Sequence, residues 1–233
     1  MHSSSLPAAA IFDMDGVLVD SNPFHIEKWI ELLNDRKVPF SRDELPRQIL
    51  GQRNDHAFRL FFGSRLAQPE MKQLGAELEA KFRNVFRPHA RPLPGLVPLL
   101  CQLRSAGIPL AVASSAIREN VEFVVETIGL RPFFQCLING DEVLHPKPDP
   151  EIYLKTAGKL GVEADECVGF EDSFAGIEAV KRAGMKCVAI ASTFPPAELK
   201  STRADFVATG FKELSLGRLR RLFDRLAEGT DAK

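Results

Sequence analysis

Short apolar runs alternate with stretches of helical periodicity along most of this chain. The first run, Ala8-Ala9-Ala10-Ile11-Phe12, has the length and flanks of a buried strand and ends on Asp13. Residues 24–38 then place Phe24, Ile26, Trp29, Ile30, Leu32 and Leu33 at helical spacing. From 41 to 89 the pattern stays helical with polar breaks, and Ser41-Arg-Asp-Glu44 has the form of a capping box. A Pro/Gly boundary, Arg91-Pro-Leu-Pro-Gly95, closes that region. Beyond it the periodicity predicts strands at 109–113, 133–138, 166–170, 186–191 and 205–208. Helices are predicted at 96–106, 119–128, 150–160, 175–183 and 214–226, four of them stopped by Gly107, Gly129, Gly161 and Gly184.

Strand–helix alternation of this kind predicts an α/β protein with a Rossmann-like parallel sheet covered by helices on both faces. The helical stretch after the first strand predicts a small all-helical domain inserted there. The boundaries read as 1–20 and 93–233 for a discontinuous core and 21–92 for the insert. The insert would stand over the C-terminal edge of the sheet, where open α/β sheets bind ligands.

Composition narrows the function. Of 233 residues, 45% are apolar and 26% charged, a globular balance. Lys plus Arg is 30 against 31 Asp plus Glu, so a net charge of -1 argues against nucleic acid and anionic membrane surfaces as partners. Arg218, Arg220, Arg221 and Arg225 alternate with Leu219, Leu222 and Leu226 and read as the solvated face of a terminal helix. Cys101, Cys136, Cys167 and Cys187 lie far apart in apolar settings, without a C-x-x-C, and are expected to be buried reduced thiols in a cytoplasmic protein. Residues 1–7 lack the basic and apolar regions of a secretory signal, and no apolar stretch has membrane-spanning length.

Four places carry candidate chemistry, each at or near a predicted strand end. Asp13-Met14-Asp15-Gly16 puts two carboxylates at a tight turn, where Gly16 lets the backbone approach a ligand. A carboxylate can attack phosphorus if a metal screens the charge between them, and a second can act as acid and base. An acidic turn or calcium loop is the plain alternative, although the rest of an EF-hand is missing. Ser114 and Ser115 could bind phosphate oxygens beside helix N-terminal amides, or simply cap the next helix. Lys147, between Pro146 and Pro148, could neutralise phosphate or be an exposed loop lysine; Asp149 reads as the cap of the following helix. Glu171-Asp172-Ser173 offers hard oxygen ligands suited to magnesium, or helix N-caps. The convergence of the four makes a phosphate and magnesium pocket.

In this order and spacing, Asp13-x-Asp15-Gly16, Ser114, Lys147 and Glu171-Asp172 resemble the haloacid dehalogenase superfamily over nearly the whole chain. The insert resembles that of the subgroup with a helical cap after the first motif. The resemblance implies that Asp13 forms an aspartyl-phosphate and that Asp15 protonates the leaving group, then activates water. Ser114 would hold the phosphoryl group and Lys147 would stabilise charge on it and on Asp13. Asp172, the Asp13 side chain and the Asp15 carbonyl would bind magnesium, with Glu171 as a further acid around the metal. The dehalogenases that name the superfamily generally lack the second aspartate, so Asp15 implies phosphoryl chemistry.

Within the insert, Asp20-Ser21-Asn22-Pro23-Phe24-His25 followed by Trp29 resembles β-phosphoglucomutases and related sugar phosphatases. This places Ser21 at the hinge, His25 beside the acid/base aspartate, and Trp29 in the cap core. Gly51-Gln52-Arg53 resembles the substrate loop, one residue shorter, with Arg53 as its phosphate ligand. Lys81, then Arg83, are the candidates for a cap cation on the substrate. The expected function is magnesium-dependent hydrolysis of a small phosphorylated metabolite, such as a sugar phosphate, by a monomer or weak homo-oligomer. A β-phosphoglucomutase-type mutase and a non-catalytic binding module are the alternatives.

Overall fold

The computed structural model describes residues 6–224, so residues 1–5 and the expected terminal-helix positions Arg225 and Leu226 lie outside the described residues. The chain opens with β1 (Ala9–Phe12), followed by helices α1 (Asn22–Asp35), α2 (Leu45–Ile49), α3 (Asn54–Phe62) and α4 (Gln68–Phe86). The alternating part then runs α5 (Leu96–Ser105), β2 (Leu110–Ala113), α6 (Arg118–Thr127), β3 (Cys136–Ile138), α7 (Glu151–Leu160) and β4 (Cys167–Glu171). It continues through α8 (Phe174–Arg182), β5 (Lys186–Ile190), α9 (Pro196–Leu199), β6 (Phe206–Ala208) and α10 (Leu216–Asp224). The six strands form one sheet in the order β3-β2-β1-β4-β5-β6, every pair parallel.

The apolar runs are continuous because both faces of the sheet are covered. Along β1, Ala9 and Ile11 join one buried cluster while Ala10 and Phe12 join the other. On the second face the Phe12 and Phe170 rings stack at 4.4 Å between centroids across the β1–β4 pair. α1 to α4 pack together around Trp29, Leu33, Phe58 and Leu74 and form a helical cap. The chain enters and leaves the cap side by side: Val19 bridges antiparallel to Pro92, and the Leu93 amide donates to the Leu18 carbonyl at 2.9 Å.

Several local expectations are corrected. The Ser41–Glu44 capping box does not form; Pro46 in the first turn starts α2 at Leu45, with Glu44 in the cap position and no side-chain bond to it. α6 begins only at Arg118, so Ser114 and Ser115 do not open a helix; Ser114 Oγ accepts from the Ala116 amide instead. Pro150 and not Asp149 holds the cap position of α7, although Asp149 Oδ1 takes the Glu151 amide at 3.0 Å. Cys101 is exposed and Cys136 half-buried, contrary to the expectation of four buried thiols; Cys167 and Cys187 are buried. Among the described residues no helix is long and apolar enough to cross a membrane.

Candidate active site

Parallel topology brings the ends of β1, β2 and β4 to one edge, and with them Asp13, Ser114 and Asp172. Lys147 arrives from the loop after β3 and is 1% exposed. A buried ammonium needs all three protons satisfied. Lys147 Nζ donates to Asp13 Oδ1 at 2.7 Å, Glu171 Oε1 at 2.6 Å and the Ala113 carbonyl at 3.1 Å. Burial works against its charge, but the Asp13 and Glu171 carboxylates outweigh that and raise its pKa.

Glu171 is fully buried behind this lysine. Its Oε1 also accepts from the Tyr153 hydroxyl at 2.6 Å, and its Oε2 from the Ser173 hydroxyl at 3.1 Å. Tyr153, the chain's single tyrosine, was not singled out in the sequence, where one aromatic on an amphipathic helix reads as packing. Asn22 and Thr193 were missed likewise. Both donate to Asp172 Oδ2, Asn22 at 2.7 Å. Gly16, at φ +76°, lies so close that a Cβ there would come within 1.9 Å of the same oxygen.

Carboxylate oxygens of Asp13, Glu171 and Asp172 lie within 4.8 Å of one another. Burial first, then Glu171 and Asp15, push the Asp13 carboxyl up to about 8 against the pull of Lys147. Burial and the neighbouring carboxylates push Asp172 well above its ordinary range. Three buried acids against one ammonium are therefore short of positive charge. Asp13 Oδ2 and Asp172 Oδ1 have no hydrogen bond among the described residues. Hard oxygen donors with an unmet demand for a cation fit magnesium.

Asp15 points the other way, toward the cap. Its Oδ1 accepts from the Ser21 hydroxyl at 2.5 Å and lies 3.2 Å from His25 Nε2. Burial raises its pKa, but His25, Ser21 and Lys28 together hold it below the ordinary carboxylate value. The His25 ring stacks on Phe82 at 4.0 Å, which fixes its plane.

Between core and cap lies a cleft of about 860 Å3 lined by Asp13, Asp15, His25, Arg53, Ser114 and Ser115 among others. The cap is docked: Ser115 Oγ donates to the Gly51 carbonyl at 2.8 Å, and a Cβ on Gly51 would meet Ser173 Oγ at 2.3 Å. Arg53 reaches across to the Gly140 and Val143 carbonyls, each at 3.1 Å, and to Asp55 at 3.1 Å. It lines the cleft, but its guanidinium is used as a strap between cap and core.

Lys81 is a correction: it pairs with Glu31 on the exposed outside of the cap, away from this cleft. Arg83 turns inward but bonds Asn120 Oδ1 at 2.6 Å rather than lining the cleft. Among the α4 residues that do line it is Glu79, held by Lys28 at 2.7 Å, Asn120 at 2.5 Å and Asn54. Lys28 lies one turn from His25 on α1, a relation visible in the sequence but not used.

A parallel sheet, a helical cap over its carboxyl edge and a buried acid–ammonium cluster between them define a capped α/β phosphohydrolase. The chain matches the haloacid dehalogenase-like hydrolases over residues 10–190 and belongs to that family. It is of the β-phosphoglucomutase-like type. It is 35% identical over 184 residues to validoxylamine A 7'-phosphate phosphatase of Streptomyces hygroscopicus subsp. limoneus, covering 79% of this chain and 85% of the relative. It is 30% identical over 198 residues to β-phosphoglucomutase of Bacillus subtilis, covering 80% and 84%. The crystal structure of a Clostridium difficile β-phosphoglucomutase superposes with a TM-score of 0.86 at 22% identity, over 96% of this chain and all of that one, a likeness of fold.

Proposed function

We propose that this chain is a magnesium-dependent phosphatase of sugar phosphates or similar phosphorylated metabolites, acting through an aspartyl-phosphate on Asp13. The observation that carries the reading is the pair of aspartates two residues apart with opposite surroundings. Asp13 is pinned by Lys147 in the buried cluster, and Asp15 is turned to the cap by Ser21 and His25. The core would comprise 1–20 and 93–233 and the cap 21–92, with the hinge at Ser21, next to the Val19–Pro92 bridge.

In the first step Asp13 Oδ2 bonds to phosphorus as the bond to the leaving oxygen breaks, and Asp15 gives that oxygen its proton. In the second, Asp15 takes a proton from water, whose oxygen bonds to phosphorus as the Asp13 ester breaks and phosphate leaves. Lys147 holds its positive charge on Asp13 throughout, and Ser114 holds a phosphoryl oxygen. Asp13, Asp172 and the Asp15 carbonyl would hold magnesium, with Glu171 acting through Lys147. When bound, the ion supplies charge neutralisation between nucleophile and phosphate.

A mutase would also have to hold a second phosphate. Lys81 faces outward and Arg53 is engaged with core carbonyls, which favours hydrolysis. The test is phosphate release from a sugar-phosphate panel with magnesium. Asp13→Asn should abolish it while the protein keeps its circular dichroism; normal turnover by Asp13→Asn would remove the nucleophile assignment. Glucose 6-phosphate formed from β-glucose 1-phosphate with little free phosphate would establish the mutase instead.

A further inference from the structure

The cleft is larger than the chemistry at its inner end requires. At about 860 Å3 it lies toward the top of the roughly 300–1,000 Å3 range of small-molecule pockets. It keeps this size with the cap strapped to the core through Ser115, Arg53 and Asn120. The room on the cap side is walled by Trp29, Phe58 and Met71 and by one face of α4 at Gly75 and Ala76.

Gly75 is the informative position. It lies in the middle of α4, where glycine costs about 1 kcal/mol relative to alanine. Packing does not demand it: a Cβ there would sit 3.5 Å from Phe58 Cε2, an ordinary contact, and its backbone is not left-handed. The missing side chain therefore keeps space open on the cleft face of the helix. Gln52, also on the cleft wall, has a buried Oε1 without a hydrogen-bond partner. An acceptor left so costs about 1–3 kcal/mol, which a hydroxyl donated by a ligand would recover.

We propose that the cap side of the cleft is a leaving-group subsite, and that the substrate is a phosphate monoester of a hydroxyl-rich alcohol larger than one sugar ring. Its phosphate lies at Asp13, its distal ring between Gly75 and the wall of Trp29, Phe58 and Met71, and one hydroxyl on Gln52. The apolar wall takes the C–H face of a ring, and the exposed rim of Gln68 and Lys72 takes its hydroxyls. The inference rests on the phosphatase reading for its chemistry but not for its binding.

Binding is read in Asp13→Asn protein with magnesium, by calorimetry with trehalose 6-phosphate, maltose 6'-phosphate and glucose 6-phosphate. At least one two-ring ester should bind about tenfold tighter than glucose 6-phosphate. In the otherwise native enzyme, kcat/KM for phosphate release should favour the same ester. Gly75→Leu should cut that preference about tenfold, chiefly through KM, with Ala76→Leu as the substitute if Gly75→Leu does not fold. Two-ring esters binding no better than glucose 6-phosphate would overturn the subsite, as would a folded Gly75→Leu protein with its preference intact. A clear binding preference without phosphate release from any ester would uphold the subsite and count against the phosphatase reading.

Discussion

Gly16→Ala separates the two reasons a glycine can be needed. At φ +76° any L-residue pays about 1–2 kcal/mol for the left-handed backbone. Here the new Cβ would also lie 1.9 Å from Asp172 Oδ2 and 2.6 Å from Asn22 Nδ2. Asp172 would have to move, breaking the bonds it accepts from Asn22 and Thr193. A hydrogen bond contributes about 0.5–1.5 kcal/mol net, so the two bonds and the backbone strain together should cost about 2–5 kcal/mol. For a chain of this length that is a fall in Tm of about 4–20 °C. Gly161→Ala is the control: φ is +70°, and a Cβ there meets nothing within 4 Å, so only the backbone strain of about 1–2 kcal/mol remains. Thermal melts of both variants in EDTA give the comparison. Magnesium titration of phosphate release then reads Asp172 directly. Gly16→Ala should need about tenfold more magnesium while Gly161→Ala titrates as the native enzyme does. If Gly16→Ala melts with Gly161→Ala and titrates normally, the close approach to Asp172 has no energetic content and the reasoning fails.

Lys28→Met leaves the Glu79 carboxylate buried and uncompensated and should lose about 3–5 kcal/mol in urea unfolding; adding Glu79→Leu should restore most of it, and strictly additive losses would exclude coupling. Burial would raise Glu79, but Lys28 and His25 hold its carboxyl below the ordinary 4.5, so this stabilisation is present above about pH 4.5 and lost as pH falls through the lowered folded value. The stability gap between native and Lys28→Met proteins should begin to narrow above about pH 4.5, where burial lets the uncompensated Glu79 of the variant take up its proton, and narrow further below about 4.5 as the native carboxyl protonates. His25→Asn should lower kcat about 100-fold and move the acid limb of its pH profile upward, because burial raises Asp15 and His25 pulls it back; an unmoved profile would detach His25 from Asp15.

The core of the site was legible because its residues follow apolar runs. A buried parallel strand is continuous in sequence, and the residue after it must emerge at the carboxyl edge. That rule finds Asp13 and Ser114; applied to the run 166–170 it stops at Glu171, one residue short of Asp172, because β4 runs on through Glu171. The cap was harder, because it turns on helix phase. Residues advance about 100° each, so Glu79 and Lys81 lie about 200° apart on α4 and face opposite ways. Choosing a cation by type selected Lys81; the face that meets the cleft carries Glu79, with Arg83 one turn further along it. Tyr153, Asn22 and Thr193 escaped for another reason. Each acts on a carboxylate from a distant part of the chain, and no local pattern distinguishes such a side chain from one that fills space.

The positive charges of the cap bear on the choice between hydrolysis and phosphate return. A cap that grips a second phosphate needs a cation free to meet it in a water-poor site. Lys28 is bound to Glu79, Arg83 to Asn120, Arg53 to the Gly140 and Val143 carbonyls, and Lys81 to Glu31 outside. Lys72 and Arg59, at the rim, are exposed, where a charge is screened and worth little. Two of these bonds, those of Arg83 and Arg53, cross from cap to core and seat the cap, while Lys28 and Lys81 are paired within the cap. What the cap offers a ligand is apolar wall, the Gln52 amide and space, and these suit the neutral, hydroxylated leaving group proposed above. Among the described residues the cations that line this cleft are either engaged, as Arg53 is, or exposed, as Lys72 and Arg59 are, and this favours the hydrolysis proposed above.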